Sequence, residues 1–239
     1  MAPAMPARAP STWWSRTTRA GSPRRFFVLK LTGLVRARRL PRPLFFARLW
    51  GYVRSPSSSA RDHSGGAAPV AGDGHGCAGV RRHGVRPDIG AGSGYFTFRL
   101  CPLVPEGKVV AVDIQQEMLD MIYDRMSLAG IENVVPVLGD IDDPKLPAGA
   151  VDLALLVDAY HEFSHPREML RGIYRGLRPG GRVVLVEYRA EDPDIPILPL
   201  HKMSEDQCRA ELGAAGFIWV ETREDLPWQH VMIFRKPAE

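Results

Sequence analysis

An α/β fold, a doubly wound and mostly parallel sheet closed by a C-terminal antiparallel hairpin, is what this sequence predicts from residue 88 onward. Strand-like apolar runs alternate there with helical stripes, a glycine-rich turn stands ahead of the first helix, and two β-rich runs close the chain. With 45% hydrophobic residues in 239, one sizeable core is within reach.

The elements follow in order. "KVVAVDI" (108–114) is an apolar run ending in an acid and predicts a strand. "QQEMLDMIYDRMSLAG" (115–130) has apolar residues at 118, 119, 122, 126 and 129, a helical stripe closed by Gly130. "VVPVL" (134–138) is a strand, "GDIDDPKLPAGA" a polar turn region, and "VDLALLVDAY" (151–160) a buried strand. Pro166 opens a helix with apolar positions 169, 170, 173, 174 and 177, expected to stop at "PGG" (179–181). "RVVLVEY" (182–188) is the next strand, and the Pro-rich "EDPDIPILPL" (191–200) crosses to a helix that Ser204 and Gln207 mark with capping-box spacing. "FIWVETRE" (217–224) and "HVMIFRKP" (230–237) predict the hairpin. The first strand is the weak element. "GVRPDIG" sets Arg86 and Pro87 inside a central strand, so that strand is expected to be short or irregular.

Charge divides the chain. Residues 1–87 hold 16 Lys+Arg against 2 Asp, a net of +14, whereas residues 88–239 hold 15 Lys+Arg against 25 Asp+Glu, a net of −10. The overall +4 therefore belongs to an irregular basic N-terminal extension, residues 1–80, and says little about nucleic acid binding. Three readings fit that extension: a targeting segment, a basic anchor making weak contact with anionic membrane, or chain upstream of a misplaced start with no evolved fold. Its first 60 or so residues are expected to be poorly ordered. Lys30 and Arg48 interrupt the best apolar runs, so no transmembrane segment is expected. Three scattered cysteines, Cys77, Cys101 and Cys208, favour a reducing, cytoplasmic setting over a disulfide framework.

The chemistry concentrates in "PDIGAGSGYF" (87–96). Glycines at 90, 92 and 94 allow a tight turn and close approach of a ligand, and Asp113 follows at the spacing of a ribose-binding carboxylate. Tyr95 stands where a dinucleotide site wants glycine, and no Tyr is followed four residues on by Lys, which argues against hydride transfer. No Lys follows the glycines either, which argues against a nucleoside triphosphate.

"DIGAGSGYF", "AVDIQQEML", "GDIDD", "LLVDAYHEF" and "LRPGGRVVLVEY" occur in the order found in class I S-adenosylmethionine-dependent methyltransferases, of the broad type 11 or UbiE-like group. The resemblance covers about residues 88–239 and implies class I methyltransferase topology, with residues 81–239 as the methyltransferase domain and S-adenosylmethionine as cofactor. It implies that Asp88 and the Gly90, Ala91, Gly92 and Gly94 backbone face the methionine part. Asp113 would accept the ribose hydroxyls, and Ile114 would pack on the adenine. Asp140 would accept from the adenine amino group, with Ile141 beside it. Asp158 would line the transfer site, with Tyr160, His161 and Glu162 facing substrate. A cofactor without phosphate needs no loop Lys, and its sulfonium and ammonium suit a domain of net −10.

For methyl transfer to a hydroxyl or a protonated amine, His161 is the best candidate base, with His201 and Lys202 as alternatives. The catalytic candidates are thus Asp158, Tyr160 and His161. "HEFSH" (161–165) fits the H-E-x-x-H zinc pattern, but it follows a strand directly and His165 precedes Pro166, which disfavours the helix that pattern needs. No third ligand stands just downstream, so no metal is expected. The expected partner is a small-molecule substrate, and the catalytic part lacks the aromatic-interleaved basic patch of a nucleic acid binder. The competing reading is a non-catalytic methyltransferase-like chain acting through its basic N-terminal segment.

Overall fold

β-branched and aliphatic runs that bury both faces make a parallel sheet, and this one carries the site at its carboxyl edge. The computed structural model describes residues 84–239. Residues 1–83 lie outside the described residues, and with them the three readings of the basic extension and its expected disorder. β1 (Val85–Ile89), β2 (Lys108–Asp113), β3 (Val134–Leu138), β4 (Val151–Val157) and β5 (Leu177–Arg189) are parallel. The two-residue β6 (Lys202–Met203) pairs with the end of β5, and β7 (Ile218–Arg223) and β8 (Gln229–Arg235) form the antiparallel hairpin. The sheet order is β3-β2-β1-β4-β5-β8-β7. The chain winds outward from β1 to β3, then returns to the far side of β1, so the winding reverses between β1 and β4. Open sheets bind ligands at that reversal.

Helices cover both faces. α1 (Thr97–Leu100) and α2 (Gln116–Ala129) bury Phe98, Leu100, Leu119 and Ile122 in the core with Leu153 and Leu155 of β4. α3 (Pro166–Gly176) and α4 (Glu205–Ala214) bury Met169, Leu170, Ile173, Cys208 and Leu212 on the other face, with Ala154 and Leu156. Alternate residues of one strand thus serve opposite layers, as its unbroken apolar run requires. No helix among the described residues is long and apolar enough to cross a membrane.

The first strand is short, five residues, and irregular on one edge only. Its register with β2 is unbroken from Val85 to Ile89, while the pairing with β4 slips between Val85 and Asp88, the interval that contains Pro87. Proline has no N–H to give the ladder. At the start of the strand the Asp152 carboxylate accepts from the Val85 N–H at 3.0 Å and from Arg178 Nε at 2.7 Å. Arg86 is buried, and desolvation lowers its pKa, with Asp152 opposing the shift and Arg182 adding to it.

Two boundaries differ from the sequence expectation. α3 ends at Gly176, and "PGG" is not its stop but an expansion inside β5: Val151 pairs with Leu177 and Leu153 with Arg182, so five steps of β5 span two of β4. Leu177, which continues the helical stripe by spacing, is instead the first strand residue. β4 ends at Val157 rather than residue 160, because Asp158 turns into the left-handed region at φ 47°. The α4 cap forms as expected, with Ser204 Oγ accepting from the Gln207 N–H at 3.1 Å, a contact worth about 1 kcal/mol. The Gln207 amide donates to Glu211 instead of closing the box.

Candidate functional site

At the end of β1 the Gly90 and Ala91 N–H groups donate to the Val112 carbonyl at 2.9 and 3.0 Å, stitching the glycine loop to β2. Gly90 and Gly94 have φ of 76° and 82°. A Cβ on Gly90 would lie 2.6 Å from the Ala159 Cβ, and one on Gly94 2.6 Å from the Phe98 ring. The loop therefore lies directly against the turn after β4, and glycine is what lets it do so. Asp88 is buried beneath the loop, its Oδ2 accepting from Thr97 Oγ at 2.7 Å. Its carboxylate ties the strand end to the first turn of α1.

Asp113 closes β2. Its Oδ2 accepts from the Gly92 N–H at 2.7 Å and its Oδ1 from the Gln115 N–H at 3.0 Å. Each oxygen keeps a free lone pair, since an ionised carboxylate offers about four acceptor sites. Beside it Ile114 is 48% exposed, and Ile141, after β3, is 47% exposed, large apolar side chains left open at the carboxyl edge. Asp140 is 61% exposed and ion-paired with Lys145 Nζ at 2.9 Å. The donor set fits S-adenosylmethionine: a carboxylate with spare acceptor capacity for a ribose diol, apolar faces for a base, and a glycine cradle without a phosphate-binding Lys.

The turn after β4 is built differently, from side chains gathered across the chain. The Asp158 N–H donates to the Val186 carbonyl at 2.8 Å, which holds the residue in its left-handed conformation. Its Oδ1 is buried with no hydrogen-bond partner among the described residues, and Gln229 Nε2 approaches Oδ2 at only 3.5 Å. Burial, and then the nearby Glu187 carboxylate, push the Asp158 pKa up to about 8, against the weaker pull of His161 and Gln229. The carboxyl therefore holds its proton more readily than an ordinary aspartate does.

Glu187, fully buried on β5, organises this turn. Its Oε1 accepts from the Ala159 and Tyr160 N–H groups at 3.2 and 2.8 Å, and its Oε2 accepts from His161 Nδ1 at 2.6 Å. Burial works against the His161 imidazolium, but the Glu187 hydrogen bond and the charges of Glu187, Glu162 and Asp158 prevail and raise its pKa. His161 Nε2 lies 3.0 Å from His201 Nδ1 and 3.3 Å from Glu162 Oε1. Tyr160 is buried, and its hydroxyl donates to Glu211 Oε2 at 2.6 Å. It supports the turn from within rather than presenting an open hydroxyl.

Of the sequence candidates, the structure brings together Asp158, His161, Glu162 and His201. Lys202 is turned away, donating to the Asp192 carbonyl at 2.8 Å. His165 is exposed, in contact with Ser164 Oγ, so the two histidines of "HEFSH" do not share a helix face. His161 instead meets a histidine 40 residues on, a partner that the local pattern does not show. Sequence reasoning missed Glu187 and Gln229. The signal for Glu187 is an acid inside the apolar run "RVVLVEY"; nothing in the sequence marks Gln229.

Residues 87–181 match the family model described as a methyltransferase domain. The ubiquinone/menaquinone biosynthesis C-methyltransferase UbiE of Escherichia fergusonii is 32% identical over 114 residues, 47% of this chain and 45% of that protein. The UbiE of Ectopseudomonas mendocina is 33% identical over 126 residues, 50% of this chain and 48% of that protein. The chain thus spans less than half the length of these relatives. Among solved structures, a SAM dependent methyltransferase from Aquifex aeolicus superposes with a TM-score of 0.62 at 24% identity, over 66% of this chain and 84% of its own. The cyclase SpnF superposes at 0.58 with 18% identity, over 66% and 76% of the two chains, which shows the same fold and nothing of the chemistry. The matched motifs, the strand order and the carboxyl-edge donor set agree: residues 87–181 are similar to a methyltransferase domain, and the fold is that of S-adenosylmethionine-dependent methyltransferases.

Proposed function

We propose that this chain transfers a methyl group from S-adenosylmethionine to a small-molecule acceptor, with residues 81–239 as the methyltransferase domain. One observation carries the reading: the Asp113 carboxylate, held by two backbone N–H groups beside the glycine loop, keeps acceptor capacity for a ribose diol. On this reading the Gly90–Gly94 backbone, including Ala91, cradles the methionine part. Ile114 and Ile141 flank the adenine, and Asp140 exchanges Lys145 for the adenine amino group. Asp88 acts from beneath, through Thr97.

The cofactor supplies a methyl carbon activated by its sulfonium leaving group; the protein positions the nucleophile and excludes water. Asp158 and His161 line the acceptor side. The electron pair of the S–CH3 bond goes to sulfur, and the acceptor's lone pair forms the new bond. A proton shed by the acceptor passes to the group around His161 Nε2. Leu198 and Leu200, 63% and 67% exposed beside His201, favour an acceptor with an apolar body. The quinone-pathway names of the relatives point the same way. The non-catalytic reading turns on the first strand, which keeps its register with β2 throughout and slips only against β4.

Calorimetric titration of the folded chain with S-adenosylmethionine is the test. We expect saturable one-to-one binding; a folded protein that gives no binding heat at several temperatures removes the proposal.

A further inference from the structure

We propose that His161, Glu162 and His201 form a binding site for a divalent transition-metal ion of the zinc class, with Glu187 as the carboxylate that orients His161. Three donor atoms converge on one point. His161 Nε2 and His201 Nδ1 are 3.0 Å apart, His161 Nε2 and Glu162 Oε1 3.3 Å, and His201 Nδ1 and Glu162 Oε1 3.2 Å. An ion about 2.1 Å from each atom, the usual zinc distance to nitrogen and oxygen, would see them separated by angles of about 90–105°. That is one face of a tetrahedral or octahedral shell. The remaining positions are left to water or to an acceptor oxygen or nitrogen. Two imidazoles and one carboxylate select a borderline ion such as zinc over magnesium or calcium, which prefer all-oxygen shells.

The surrounding residues favour an ion. His161 Nδ1 donates to the fully buried Glu187 at 2.6 Å, which fixes the tautomer and turns the Nε2 lone pair toward His201 and Glu162. Carboxylate–histidine pairs of this kind orient metal-binding imidazoles. The Glu187 carboxylate is itself pinned by the Ala159 and Tyr160 N–H groups. The inner ligand is rigid, with 5% of the His161 side chain exposed, while 45% of Glu162 and 35% of His201 are exposed and give an ion a path in. Metal binding here does not depend on the methyl-transfer reading. If both hold, the ion takes the His161 Nε2 lone pair, and an acceptor hydroxyl bound to the ion would shed its proton to solvent instead of to His161.

The test is optical titration of the full chain, stripped with a chelator, with Co2+. We expect visible d–d absorption that saturates at one ion per chain and is displaced by Zn2+. His63, His75, Cys77 and His83 are rival ligands elsewhere in the sequence. The discriminating variant is therefore His201→Ala, at a half-exposed position where folding should survive, as circular dichroism can verify. It should weaken Co2+ binding by at least about tenfold, and His165→Ala should leave it unchanged. Absent d–d bands, an unaltered titration in His201→Ala, or an equal loss in His165→Ala would each overturn the site. Calorimetry with S-adenosylmethionine on the same samples reads the methyl-transfer proposal separately.

Discussion

The two halves of the sheet's carboxyl edge are built on different principles. The side proposed for the cofactor rests on backbone and near neighbours: Thr97 on Asp88 nine residues away, and Gly92 on Asp113 21 residues away. Its one central carboxylate is held by N–H groups. The side beyond β4 draws on side chains 26, 40, 51 and 71 residues distant: Glu187 and His201 on His161, Glu211 on Tyr160, and Gln229 on Asp158. Its titratable groups are buried together. On the function proposed above, such an edge can keep one half for the cofactor while the other half changes substrate by altering a few distant side chains.

The largest expected effect falls on the side beyond β4. Glu187→Ala orphans His161 and two buried N–H groups, and removing one partner of such a buried network typically costs about 3–5 kcal/mol. Urea unfolding should show a loss of that order, and Glu187→Gln, which keeps an acceptor for the two amides, should lose less. A loss under about 1 kcal/mol in Glu187→Ala would mean that the network does not hold the turn.

The cofactor side responds in affinity instead. Asp113→Ala removes acceptors for two hydroxyls, each charge-assisted bond contributing about 1.5–3 kcal/mol, so S-adenosylmethionine binding should weaken by roughly a hundredfold or more. Calorimetry decides, and unchanged affinity removes Asp113 from the ribose. If Glu187→Ala weakened cofactor binding as much as Asp113→Ala does, the division between the two sides would be wrong.

How much of this was legible beforehand follows the same division. The glycine loop, Asp113 and the strand order are written locally, as short motifs at strand ends and as apolar runs. Burial on both faces admits few other arrangements. The partners of His161 are not written locally, because β5, the Pro-rich crossing and β8 reach it only through the tertiary winding. "HEFSH" even points to the wrong second histidine, since Pro166 starts α3 and leaves His165 in solvent. The misread end of α3 has a physical cause too: Leu177 fits the helical stripe, but it pairs with Val151 at the start of β5 and is fully buried there.

A smaller effect tests the seam between the sides. Gly90→Ala places a Cβ 2.6 Å from that of Ala159 at a φ that costs about 1–2 kcal/mol for an L-residue. Adding Ala159→Gly removes the clash but not the φ strain. The double variant should recover about 1 kcal/mol of what Gly90→Ala loses in thermal unfolding. Strict additivity would show that the loop and the turn do not touch.

The smallest effect is acid sensitivity, and it should belong to the side with buried titratable groups. His230, on β8 opposite Glu187, is buried, and neither ring nitrogen has a hydrogen-bond partner among the described residues. Desolvation lowers its pKa more than the charges of Glu191, Glu224 and Glu187 raise it, while Arg189 adds to the lowering. A histidine whose folded pKa lies below its unfolded value of about 6.5 binds its proton more readily in the unfolded chain. Stability therefore falls as pH drops through 6.5, by up to about 1 kcal/mol between pH 6.5 and 5.5 from this group alone. His161, with its pKa raised, contributes in the opposite sense, so only a difference profile isolates His230. Unfolding midpoints of the parent chain and His230→Leu, measured at half-unit steps from pH 7.5 to 5.5, should diverge below pH 6.5, with the variant losing less. Parallel curves would mean that His230 is protonated equally in both states.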